Sequence, residues 1–121
     1  MSNKNIKFNY DFENDILFIY KNKHKSNGSI EYGKNIHISF SKNQVVGLEI
    51  IDASKVLSGF SKSEITNDIL KTVNACDLYT RKLNGLLFVY FNCKFKARAK
   101  PIENYLTIQD IAYNSPIVAT V

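Results

Sequence analysis

Tryptophan is absent from this sequence, and methionine, cysteine, histidine and proline are scarce: one Met, two Cys, two His and two Pro in 121 residues. Two cysteines, with no Cys-x-x-Cys, exclude a disulfide-dense secreted scaffold and a zinc ribbon. No apolar run reaches the roughly 18 residues that a membrane-spanning helix needs. Residues 1–9 alternate polar and apolar and lack the continuous apolar segment of a signal peptide. A cytoplasmic protein without membrane contact is the resulting expectation. Also missing are a Walker loop, a Rossmann glycine fingerprint, a zincin motif and a Gly-x-Ser-x-Gly elbow. Their absence leads us to expect a non-catalytic protein with no cofactor and no metal.

What is present is apolar and aromatic. Hydrophobic residues make up 45%, with seven Tyr and eight Phe, which argues against disorder. The length suits one domain spanning residues 1–121. The formal charge is +5, from 16 Lys plus Arg against 11 Asp plus Glu. Lysine outnumbers arginine 14 to 2, and Asn and Ile number 14 each, a bias that reads as codon usage more than function. The basic balance therefore carries little by itself.

The expected architecture is α+β, mostly antiparallel hairpins with one or two short helices near residues 52–70. Ile6, Phe8 and Tyr10 alternate with Lys7 and Asn9, the period-2 signature of a half-buried strand. Asp11 to Asn14 is turn chemistry, since short carboxylate and amide side chains bond nearby backbone. Ile16 to Tyr20 is a continuous apolar run, which predicts a strand covered on both faces. Lys21 to Gly28 reads as a polar loop. In a second hairpin, Ile36, Ile38 and Phe40 oppose Val46, Leu48 and Ile50 only if paired residue numbers sum to 86. That register leaves Lys42, Asn43 and Gln44 as a three-residue loop and sets His37 opposite Glu49. Asp52 is positioned to cap a helix over Ala53 to Leu57. Ser61-Lys62-Ser63-Glu64 has capping-box spacing ahead of Ile65, Ile69 and Leu70, with Gly59 separating two helices.

Asn84-Gly85 between two long apolar runs is the strongest hairpin signal in the chain. Paired numbers then sum to 169. One face carries Cys76 opposite Cys93, Leu78 opposite Phe91 and Thr80 opposite Val89. The other carries Asp77 opposite Asn92, Tyr79 opposite Tyr90 and Arg81 opposite Phe88. Continued alternation adds Lys94, Lys96, Arg98 and Lys100 to this second face. Tyr105 to Ile108 and Ile117 to Val121 read as final strands, each preceded by a proline.

Two stretches, Tyr10-Asp11-Phe12-Glu13-Asn14-Asp15-Ile16-Leu17-Phe18-Ile19-Tyr20 and Val45-Val46-Gly47-Leu48-Glu49-Ile50-Ile51-Asp52-Ala53-Ser54-Lys55, resemble the family called domain of unknown function 2283. The resemblance covers about residues 5–58, a β-β-β-β-α part. It leaves a helix, the long hairpin and the final strands of residues 61–121 outside. It implies a regulatory binding role, antitoxin-like, toward a small protein partner.

Four constellations carry chemistry. Asp11, Glu13, Asp15, Glu49 and Asp52 could ligate a hard cation, but they lack EF-hand spacing, and turn bonds and capping explain them better. His37 and Glu49 suit proton transfer, yet a surface cross-strand pair is the simpler reading. Cys76 and Cys93 fall within reach of a disulfide; in a reducing cytosol they pack as small apolar groups. The fourth is the face holding Tyr79, Arg81, Phe88, Tyr90, Lys94, Lys96, Arg98 and Lys100. It suits a protein partner or a second copy of the chain. The alternative is single-stranded nucleic acid, whose bases stack on aromatics while cations meet phosphates.

Overall fold

The computed structural model describes residues 6–22, 25–41 and 44–109. Along them run β1 (Ile6–Asp11), β2 (Ile16–Lys21), β3 (Gly28–Tyr32), β4 (Ile36–Ser41), β5 (Gln44–Ile51), α1 (Ala53–Ser61), α2 (Asn67–Leu70), β6 (Val73–Leu83), β7 (Leu86–Phe95) and β8 (Arg98–Gln109). Strands hold 64%, so the expected α+β balance is corrected to a largely β one with two short helices. All strand pairs are antiparallel. They form a five-stranded sheet in the order β1-β2-β5-β4-β3 and a three-stranded sheet in the order β6-β7-β8.

One apolar cluster joins the two sheets. Leu17, Ile19, Ile36, Ile38, Leu48 and Ile50 come from the first, and Leu78, Val89, Phe91, Cys93, Ile102 and Leu106 from the second. β6 packs on β1, β2 and β5, and α1 lies against β8 and β5. Each sheet thus buries one face, as period-2 alternation demands. The run Ile16 to Tyr20 is covered on one face, contrary to expectation. Leu17 and Ile19 are fully buried, while Ile16 and Phe18 are half-buried and Tyr20 is exposed. The reason is that the first sheet's other face has no covering layer among the described residues.

The second hairpin keeps the register of 86 from Ile36↔Ile50 to Ser39↔Gly47, then slips at a bulge to Phe40↔Val45 and Ser41↔Gln44. Gln44 is therefore a strand residue and not part of a three-residue loop, and Val45 takes the place opposite Phe40, with both Val45 and Val46 buried. The bulge frees the Val45 N–H, which donates to the Thr80 hydroxyl of the other sheet at 3.2 Å. β3 lies beyond the expected loop. Ile30 and Tyr32 pair with Ile38 and Ile36 across a turn whose Gly33 has φ 70.

The helices also differ from expectation. α1 runs through Gly59 to Ser61 and stops at Lys62, whose φ is 58. No capping box forms at Ser61, and α2 begins later, with the Thr66 hydroxyl accepting from the Ile69 N–H. Asp52 has left-handed backbone and its carboxylate does not cap α1.

The Asn84-Gly85 hairpin has the expected register over Ala75↔Lys94 to Leu83↔Leu86, with φ 51 and 78 in the turn, as a two-residue primed turn requires. The strand continuing to Lys100 is corrected. The chain reverses at Lys96 and Ala97, and β8 returns along β7. Thr72 holds this turn: its carbonyl accepts from the Lys96 N–H at 3.0 Å and its hydroxyl from the Ala97 N–H at 3.1 Å. The expected strand at Ile117 to Val121, and His24, lie outside the described residues.

Candidate interaction surface

The outer face of the β6-β7-β8 sheet, opposite the core, is built in rows by the registers. From the Asn84-Gly85 tip they run Leu83↔Leu86, then Arg81↔Phe88↔Thr107, Tyr79↔Tyr90↔Tyr105, Asp77↔Asn92↔Glu103 and Ala75↔Lys94. The middle row is a continuous aromatic ladder. Ring centroids of Tyr79 and Tyr90 are 4.6 Å apart, and those of Tyr90 and Tyr105 are 5.1 Å apart. Phe88 meets Tyr105 edge-on at 6.5 Å. The two tyrosine pairs are tilted, at 34° and 52°, and the Phe88–Tyr105 pair has the favoured edge-to-face geometry. Leu83 and Tyr105 are more than half exposed, at 57% and 54%, and Tyr79 and Leu86 keep 41% and 37%. Six large apolar side chains in adjoining rows make a contiguous patch, which is uncommon on a face meant only for water.

The charges of this face are balanced, which corrects the expected basic stripe. Arg81 and Lys94 share it with Asp77 and Glu103. The Tyr90 hydroxyl donates to Glu103, and the Asn92 amide donates to both at 3.2 Å. Lys96 sits in the turn. Arg98 stands opposite the buried Phe95, and its guanidinium donates to the Ser63 hydroxyl at 3.0 Å and to the Lys100 carbonyl at 2.7 Å. Lys100 is exposed on β8, away from the tyrosine row along the strand. Of the sequence-predicted residues, the structure therefore unites Tyr79, Arg81, Phe88, Tyr90 and Lys94, and sets Lys96, Arg98 and Lys100 apart. Sequence reasoning missed Tyr105, Glu103, Leu83 and Leu86. The signal for Tyr105 was available: folding the expected strand Tyr105 to Ile108 back on Leu87 to Tyr90 brings a third tyrosine into line.

Behind the face, on the core side, Cys76 and Cys93 are free thiols whose Sγ atoms lie 3.5 Å apart. The bond from Cys76, together with burial, pushes the Cys93 thiol well above its ordinary value.

Two polar clusters lie elsewhere. His37 lies 3.6 Å from Glu49, as its register predicts, and also 3.6 Å from Glu31 of β3. At the sheet–helix junction, Asp15 accepts from the Tyr10 hydroxyl at 2.7 Å, the Ser54 hydroxyl at 2.7 Å and the Ser54 N–H at 3.2 Å. Asn67 of α2 donates to the Tyr10 oxygen at 2.8 Å. Asp15, not Asp52, thus caps α1, and it does so from the β1–β2 turn. Burial, and then the Asp15 bond, raise the Tyr10 phenol far above its ordinary value, so Tyr10 stays protonated. Both carboxylate oxygens of Asp15 are occupied, which suits a structural tie better than a nucleophile–base pair. Asp11 accepts from the Asn14 backbone and side chain, as turn chemistry predicts. Among the described residues no group of three or more His, Cys, Asp or Glu is placed to hold a metal ion. No helix among them is long and apolar enough to cross a membrane.

An uncharacterized protein of Methanocaldococcus jannaschii is 37% identical over 67 residues, 54% of this chain and 56% of that relative. The chain thus spans about half the length of the curated relative it matches. No solved structure matches the chain. Residues 7–54, from β1 to the first turn of α1, match the family described as Protein of unknown function (DUF2283), where the sequence resemblance lies, and the aromatic face falls wholly outside that match.

Proposed function

We propose that the protein is a non-catalytic interaction module, regulatory in the antitoxin-like sense, that binds a protein partner through the outer face of the β6-β7-β8 sheet. The observation that carries this reading is the Tyr79–Tyr90–Tyr105 ladder, exposed at Tyr79 and Tyr105 and half-buried at Tyr90, and flanked by Leu83, Leu86 and Phe88. Tyrosine-rich, charge-poor centres are what protein interfaces concentrate, because a rigid aromatic covers much area at little entropic cost. Charged residues sit at the margins of the patch, as an interface rim does.

Single-stranded nucleic acid is the rival occupant, favoured by the same row of rings, on which bases stack. It is weakened by Asp77 and Glu103 on the face, and by Arg98 being engaged with Ser63. The test is capture from the native host with the wild-type chain and a Tyr79→Ala, Tyr105→Ala double variant. Both substituted side chains are exposed, so the variant should keep the wild-type circular dichroism spectrum. Loss of the captured protein in the double variant is expected. Recovery equal to wild type would sink the proposal. Salt-dependent binding of mixed oligonucleotides, abolished by Arg81→Glu with Lys94→Glu, would favour the rival instead.

A further inference from the structure

We infer that the partner on this face is a second copy of the chain, stacked face to face about a two-fold axis that runs along the Tyr79–Tyr90–Tyr105 row. This rests on the reading of the face as a protein-docking surface. An isologous dimer needs a self-complementary patch: whatever one copy presents on one side of the axis, it must accept on the other.

The rows supply that property. On β6, Asp77 and Arg81 lie two residues to either side of Tyr79, on the same face. A rotation about the tyrosine row reverses each strand and keeps its lateral position. Arg81 then lies over the partner's Asp77, and Asp77 over the partner's Arg81. On β7 and β8 the same rotation sets Phe88 over the partner's Asn92 and Thr107 over the partner's Glu103. Glu103 is already bonded to Tyr90 and Asn92, and the Thr107 hydroxyl adds a donor. One row further out, Leu86 meets the partner's Lys94, whose methylene stem covers apolar surface while the ammonium stays in water. The three tyrosines meet their own copies at the centre, where water is best excluded.

The other two-fold choice for a face-to-face pair, an axis along the strands, exchanges β6 with β8. It would set Asp77 over the partner's Glu103, carboxylate on carboxylate, and leave Arg81 over a threonine. Charge therefore selects the axis along the row. Sheets that pack face to face keep their strands roughly aligned, as both choices require, so charge is the discriminating factor.

Sedimentation velocity of the full chain tests this. The wild type should be a dimer. Asp77→Arg alone sets arginine on arginine twice per dimer, and Arg81→Asp alone sets aspartate on aspartate. Each should weaken self-association by about tenfold or more, since like charges brought face to face are strongly disfavoured. An equimolar mixture of the two single variants should recover a dimer, because each then offers what the other lacks. The Asp77→Arg, Arg81→Asp double variant should dimerise with itself. A wild-type monomer at the highest soluble concentration overturns the inference, as does a dimer that both single variants leave intact. So does failure of the mixture to recover while each variant remains folded by circular dichroism. The broader docking-face reading fails by a different result, unchanged protein capture in the Tyr79→Ala, Tyr105→Ala chain.

Discussion

Tyr90 sits at the centre of the ladder, and its chemistry sets a pH window. Burial, and then the bond to Glu103, push its phenol from 10.0 up to about 12. The bonds from Tyr90 and Asn92 hold the Glu103 carboxyl below its ordinary 4.5. A phenol kept protonated by the fold contributes stability that is complete below its unfolded value and is lost as pH rises from 10.0 toward 12. A carboxylate with a lowered value contributes stability that is complete above its unfolded value and is lost as pH falls below 4.5. Urea midpoints should therefore be level through neutral pH and fall at both ends. Tyr10, also raised, adds to the alkaline fall, so the informative comparison is wild type against Tyr90→Phe. The variant keeps the ring and should show a shallower fall at both ends. Identical pH profiles would refute the role given to the Tyr90–Glu103 bond. At this scale the sequence revealed Tyr79 and Tyr90 because Asn84-Gly85 fixes their register, and it misled at Arg98. Lys94 to Lys100 alternates as a strand would, and nothing local in Lys96-Ala97 announces a turn. Thr72, 24 residues upstream, supplies the bonds that make one.

Elements in this protein are joined by side chains that reach from one to the next, and Asp15 is the clearest case. It holds left-handed backbone at φ 55 in the β1–β2 turn, and from there it caps α1 and receives the Tyr10 hydroxyl. Asp15→Ala removes a helix cap and leaves the Tyr10 hydroxyl without its acceptor. A loss of about 2–4 kcal/mol in urea unfolding is expected. Asp15→Asn keeps an acceptor and tolerates the left-handed backbone, so it should cost about half as much or less. A loss under about 0.5 kcal/mol for the alanine variant, the range of ordinary surface changes, would show that α1 does not need this cap. The hairpins were legible because their signals are local: turn residues and period-2 patterns. The caps were not, since Asp52 and Ser61 have the right residue types and spacing, while the actual acceptor lies 39 positions before the amide it binds. The bulge at Ser39 and Phe40 escaped for the same reason, because its freed amide is satisfied by Thr80 of the other sheet.

At the scale of the whole molecule, neither sheet can bury its apolar face alone. Leu17, Ile19, Ile38, Leu48 and Ile50 are covered by β6 to β8 and by α1. A fragment of residues 1–62, which contains the whole family match, should bind hydrophobic dyes and lack a cooperative thermal transition. A sharp calorimetric peak from that fragment would contradict the shared core. The two sheets also differ in how far apart their partners lie along the chain. β6, β7 and β8 follow one another across two-residue turns, so each pairing closes a short loop. β2 must wait for β5, with Tyr20 pairing to Gly47 only after β3 and β4 have been laid down between them. The β1–β2, β3–β4 and β4–β5 hairpins close short loops as well, so loop-closure entropy singles out the β2–β5 pairing as the late step, with the β6-β7-β8 meander free to form before it. The seam between β2 and β5, and not the hairpins on either side of it, would then be the last part of the first sheet to form.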